Sequence, residues 1–299
     1  MKIISKAAAA VALAICAAAA LAPVAPAAAQ EAGETVAIPF APPVGQKLTY
    51  RLGRTISEDG AATKRGETRL EVGFRRAGTG YVMDATILPD NLPPEIAADP
   101  AFAALTLPMS FRVNADGEIT GIDDEAQYWA AFEQLVQKTE KPADAASRRA
   151  AVEALRKLPD ENRLAMLSAN VAPLLALSAS EFPLGEALEG EQEGMTPVGP
   201  VPQQVRVTLE RVASGRAHVT SVTTTSAAAF EAAMRAFIDR AKGAPLGAGK
   251  FLSLELRDTY EVSMATGLVE RQVSQTTAEM EVDGKRSRMV RTNTVERLP

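Results

Sequence analysis

The stretch Lys250–Pro299 constrains the fold more than any other. Leu252, Leu254 and Leu256 alternate with Ser253, Glu255 and Arg257, and Tyr260, Val262 and Met264 continue a similar period. Ala265-Thr266-Gly267 and Asp283-Gly284 interrupt it with turn residues. Alternation on either side of an Asp-Gly pair specifies antiparallel strands joined by a tight turn. A two-residue turn at Asp283-Gly284 sets Glu281 opposite Arg286, Glu279 opposite Arg288, Arg271 opposite Glu296 and Glu270 opposite Arg297. Opposite charges facing across a ladder contribute about 0.2–1 kcal/mol each, and like charges there destabilise. Charge therefore sets a register as well as a strand count.

The same pattern recurs upstream. Leu48, Tyr50, Leu52 and Ile56 alternate with polar residues, as do Leu70, Val72 and Phe74, then Tyr81, Met83, Ala85 and Ile87. Asp59-Gly60 and Gly78-Thr79-Gly80 separate them, which predicts a second meander. Met109, Phe111 and Val113 begin a further hairpin that turns at Asn114–Gly117 and returns through Ile119 and Ile122. Val205, Val207 and Leu209 start another, turned at Ser214-Gly215.

Helices are expected where the period lengthens. Asp123 and Asp124 precede Trp129, Phe132 and Val136 at helical spacing, Ala143–Leu158 reads as a second helix, and Pro159-Asp160 starts a third. Ser226 is placed to cap a fourth, with Phe230, Met234 and Phe237 on one stripe. Pro89–Pro100 reads as a loop, and the Gly/Pro/Glu-rich 181–202 segment as a long loop or an internal boundary.

Met1–Ala29 has the form of a secretory leader. Lys2 and Lys6 precede an apolar run from Ala7 to Leu21, and Ala27-Ala28-Ala29 offers a cleavage site before Gln30. The expected mature chain is periplasmic or secreted, with a loose lead-in over 30–45 and a single domain over 46–299. Cys16, the only cysteine, lies in the leader, so disulfides play no part in the mature fold. With 37 acidic against 32 basic residues, the chain lacks the basic excess that nucleic acid requires.

Several motifs suggest chemistry and fail on context. Ala244–Phe251 approaches a phosphate-binding loop, but a helix precedes it, a strand follows it, and Phe251 stands where a hydroxyl would hold magnesium. The Asn114–Asp123 segment approaches a calcium loop, yet Arg112 occupies the first ligand position. His218 is the sole histidine, which excludes multi-histidine metal centres and, without cysteine, a Cys-His nucleophile. The acid pairs Asp123/Asp124 and Glu95/Asp99 leave a carboxylate-dependent hydrolase as an alternative. No cofactor or metal site is predicted.

The expected fold is α+β: a large curved antiparallel sheet of roughly ten strands with helices packed on one face. In outline it resembles the half-barrels of periplasmic lipoprotein carriers and related lipid-binding proteins, a resemblance of architecture without a shared motif. Leu164–Ser180 carries no charge and is shorter than the ~20 residues that span a bilayer. Leu164, Leu167, Val171, Leu174 and Leu175 are accordingly the candidate ligand-binding residues, for a lipid or other hydrophobic ligand, or for an envelope protein partner. A non-enzymatic binding protein is the leading expectation. An envelope structural or assembly protein acting through a sheet edge is the alternative, and no transmembrane helix is expected after leader cleavage.

Overall fold

The charge-derived register is the one the chain adopts. In the computed structural model Glu281 faces Arg286, Glu279 faces Arg288 and Arg271 faces Glu296, while Arg297 Nη1 lies 3.5 Å from Glu270 Oε1. The structure describes residues 34–59, 61–88, 106–137, 153, 156, 157, 159–196, 199–240, 249–282 and 285–299. The leader, the Glu95/Asp99 pair, most of the helix expected over Ala143–Leu158 and the start of the Ala244–Phe251 motif lie outside them.

Strands β1 (Thr35–Ala37), β2 (Lys47–Glu58), β3 (Ala61–Ala77), β4 (Gly80–Leu88), β5 (Met109–Val113) and β6 (Ile119–Asp123) come first. Helices α1 (Glu125–Gln137), α2 (Asp160–Leu167) and α3 (Ala172–Leu175) follow. Then come β7 (Glu181–Pro183), β8 (Ala187–Thr196), β9 (Gly199–Ala213), β10 (Arg216–Thr225), α4 (Ala227–Arg240), β11 (Gly249–Ser263), β12 (Val269–Val282) and β13 (Lys285–Arg297). Eleven strands form one antiparallel sheet in the order β6-β5-β4-β3-β2-β13-β12-β11-β10-β9-β8, and β1 pairs with β7 apart from it. The sheet is open, with β6 and β8 at its edges. Two meanders, one from each half of the chain, are joined where β13 pairs with β2.

Two expectations need correction. Residues 34–45 are not a loose lead-in: β1 pairs with β7, Ile38 is buried, and Val44 bridges to Phe74. The 181–202 segment is not a loop either, but contains β7, β8 and the start of β9. Its strand pattern is masked because glycines replace apolar residues. Gly190 and Gly194 face Val205 and Val201, and exposed Glu189, Glu191 and Glu193 occupy the other face. Acids along an edge strand deter pairing with another chain.

Local chemistry fixes the turns. The Asn114 side chain accepts the N–H groups of Asp116 and Glu118 at 3.0 and 2.8 Å, which closes the β5–β6 turn as an Asx turn. Gly117 and Gly267 have φ of +84° and +72°, conformations that side chains resist. Both are also crowded: a Cβ on Gly117 would strike Ser178 and the Phe40 ring, and one on Gly267 would strike the Pro39 carbonyl. Ser178 Oγ donates to the Gly267 carbonyl at 2.9 Å, and Ala41 N–H donates to the Thr266 carbonyl at 3.0 Å. Hairpin turns from the two halves of the chain thus rest against the same residues, Phe40 and Ser178.

Helix starts obey the same rules. Ser226 Oγ accepts Ala229 N–H at 3.1 Å and caps α4. Glu125 opens α1, where its carboxylate accepts from Trp129 Nε1 at 2.9 Å and from Arg163 Nε of α2 at 2.7 Å. The Arg163 bond is the main reason its carboxyl lies below the ordinary value.

Tyr50 is fully buried, its hydroxyl has no hydrogen-bond partner among the described residues, and burial raises its pKa to about 12. An unpartnered buried hydroxyl detracts from stability. Tyr50→Phe keeps the ring and removes the orphan oxygen, so chemical denaturation should show a gain of up to about 1 kcal/mol.

Candidate functional site

Side chains that face each other on neighbouring strands share a sheet face, so the ladder registers give the composition of each face. One face, here termed inner, carries the core in two apolar clusters. The first joins Leu48, Tyr50, Leu70, Val72 and Phe111 of the N-terminal meander to Tyr128 and Trp129 of α1 and Leu174 of α3. The second joins Val207 and Leu209 to Val219, Tyr260 and Val262, with Phe182 of β7 packed against them.

All five candidate ligand-binding residues lie in or against the first cluster. Leu167, Val171, Leu174 and Leu175 are buried members, and Leu164 packs against it half-buried. Leu174 is only 1% exposed. The uncharged segment therefore supplies core packing over the N-terminal meander.

A polar tract runs beside both apolar clusters, and periodicity alone did not bring it out. One inner row runs Arg54–Asn293–Ser274–Asp258–Ser221 across β2, β13, β12, β11 and β10. The next row places Ile56, Arg291, Thr276, Leu256 and Thr223 side by side on the same strands. Arg291 is 2% exposed and is the largest fully buried side chain; Asp258, Gln272, Ser221 and Thr223 are buried too. At the β8 end the polar line continues, Gln192 Nε2 donating to Gln203 Oε1 at 3.4 Å and Gln203 Nε2 to Thr225 Oγ1 at 3.2 Å. Buried polar groups are costly unless paired, so such a tract is not what core packing alone selects.

The electrostatics of the tract follow from burial. Desolvation raises the Asp258 carboxyl above its ordinary value, and hydrogen bonds from Ser274 and Gln272 offset this only in part. Gln272 Nε2 donates to Asp258 Oδ1 at 3.2 Å. Desolvation likewise pushes the Tyr260 phenol well up, and the nearby Asp258 charge adds to it. These groups can donate and accept hydrogen bonds.

Elsewhere the chemistry is sparse. Asp123 is paired with Arg112 at 3.7 Å and Arg75 at 3.9 Å, and the Asp124 carbonyl accepts from Gln127 and Tyr128 at the start of α1. His218 faces Glu261 on the outer face, beside bulges at Glu210 of β9 and Glu270 of β12, at a shallow recess of about 100 Å³. Among the described residues no group of three or more His, Cys, Asp or Glu side chains is arranged to hold a metal, and no helix is long and apolar enough to cross a membrane.

No protein-family model matches the chain, and no curated protein matches it. Among solved structures it is similar to the crystal structure of Rv2717c from M. tuberculosis, at 11% identity and a TM-score of 0.23. That match covers 84% of this chain and 91% of the other. A likeness at that score carries no functional argument.

Two outcomes follow. Leu174→Ala should cost about 2–5 kcal/mol in urea denaturation, as for a buried core leucine. Asp258 binds its proton more tightly folded than unfolded, so its contribution to stability falls as pH rises from the ordinary carboxylate value through the raised one. Asp258→Asn should match wild type in acid and exceed it at neutral pH when melting temperature is followed against pH.

Proposed function

We propose that the protein is an exported, non-enzymatic binding protein of the cell envelope that holds a hydrophobic ligand or partner between sheet and helices. The observation that carries this reading is the buried polar tract that runs alongside the two apolar clusters on the inner face. A solid core gains nothing from it, whereas a binding cavity commonly pairs apolar walls with a few polar groups that fix orientation. Curvature is supported by the β5–β6 and β11–β12 turns resting on the same Phe40 and Ser178. That arrangement favours a half-barrel whose inner side the helices line, since Trp129, Leu174 and Phe230 all pack toward inner-face residues. Export rests on the leader-like Met1–Ala29.

The sheet-edge alternative is weaker, because β6 is short and β8 carries alternating exposed glutamates.

Native mass spectrometry of protein purified from its own cell envelope tests the reading. The expected spectrum shows a chain beginning at Gln30 with a lipid or partner retained. A chain of apo mass only would overturn binding, and an uncleaved chain would overturn export.

A further inference from the structure

We infer that Arg54 is the anchor for an oxyanion head group, so that the ligand is an amphiphile with an apolar tail and a carboxylate or phosphate end. The inference rests on the binding reading above and names the chemistry of its ligand.

Arg54 lies on the inner face in phase with Leu48, Tyr50 and Leu52, facing Gly66 of β3 on one side and Asn293 of β13 on the other. Its Nε and Nη2 atoms are shut off from water, and neither has a hydrogen-bond partner among the described residues. These two nitrogens share one edge of the guanidinium, the edge whose parallel N–H groups take both oxygens of a carboxylate or two oxygens of a phosphate. Arg54 as a whole is half-buried, but desolvating that edge without a counter-charge is unfavourable, and an anion seated on it would remove the penalty.

The surroundings favour the same ligand. Asn293 and Ser274, next in the row, are neutral and can donate hydrogen bonds. Arg291 adds a second positive charge one row away on β13, whereas Asp258 stands on β11, with β13 and β12 between it and Arg54. Open space lies on the β3 side of Arg54: Gly66, which faces it, is exposed, and a Cβ built on it would meet nothing within 4 Å. From there Leu52 leads toward the first apolar cluster, against which it packs half-buried, giving an alkyl chain a wall to follow.

The test measures binding to the mature chain with three probes: palmitate, hexadecanol of the same chain length, and inorganic phosphate. Palmitate should bind about tenfold or more tightly than hexadecanol. Arg54→Met should abolish that preference, weakening palmitate far more than hexadecanol. Arg54→Lys, which keeps the charge but loses the planar fork, should lose most of it. Gly66→Leu, which fills the open space opposite Arg54 and keeps the guanidinium, should weaken both amphiphiles. An apo melting temperature of Arg54→Met no lower than wild type separates loss of binding from loss of fold, and a marked drop would overturn the inference by making Arg54 a structural residue. An unchanged palmitate-to-hexadecanol ratio in Arg54→Met overturns the inference and leaves the binding reading standing. Arg54-dependent phosphate binding without either amphiphile supports the oxyanion site and overturns the apolar ligand. Binding of none of the three overturns both.

Discussion

The pairing of β13 with β2 is the contact on which the sheet depends. Every other neighbour relation in the main sheet joins strands consecutive in that sheet's path along the chain, whereas this one brings together strands from its two ends. Its ladder runs from Met289↔Glu58 to Arg297↔Tyr50. Closing so large a loop carries an entropic cost that rises only slowly with length, so a long ladder with buried side chains can offset it. Val295, facing Leu52, supplies apolar contact, and Arg51 Nη1 reaches Glu296 Oε2 at 3.8 Å across the outer face. Because the seam is continuous, the inner rows pass through it without a break, and Arg54 is brought into line with Asp258.

The inner face is not uniform. Over β2 to β5 it is apolar and covered by residues of α1, α2 and α3, which gives ordinary core packing. Across β10 to β13 the middle of the face turns to serine, threonine, aspartate and arginine while remaining buried. The gradient from apolar wall to polar row is the feature that separates this sheet from a simple scaffold. Hydrophobicity marks what is packed, whereas buried polarity carries a cost that packing alone does not offset.

Much of the framework was legible because its information is local. Turn residues and period-two alternation located the meanders, and cross-strand charge set the β12–β13 register residue by residue. Three parts were not. The β8 strand was hidden because Gly190 and Gly194 stand where apolar residues would have marked its inner face. The β1–β7 pairing was hidden because each strand is three residues long, too short for a period to emerge. The polar row was legible in principle: Arg54 is in phase with Leu52 and Ile56, and Asp258 with Leu256 and Tyr260. A charged residue at an apolar phase reads as noise in a strand pattern until neighbouring strands are known to break phase at the same level. That coincidence depends on the β13–β2 seam, a long-range contact that no local period encodes.

The central place of β13 has a consequence for the order of assembly. It is the last strand of the sheet in chain order, yet it lies between β2 and β12 in the finished sheet. Before it arrives, the other ten strands of the sheet can form only two half-sheets of five, each ending in an unsatisfied edge meant for β13. The architecture therefore defers completion of the sheet until β13 has been made. Until then each half presents a free edge, and the seam that aligns the inner rows does not exist.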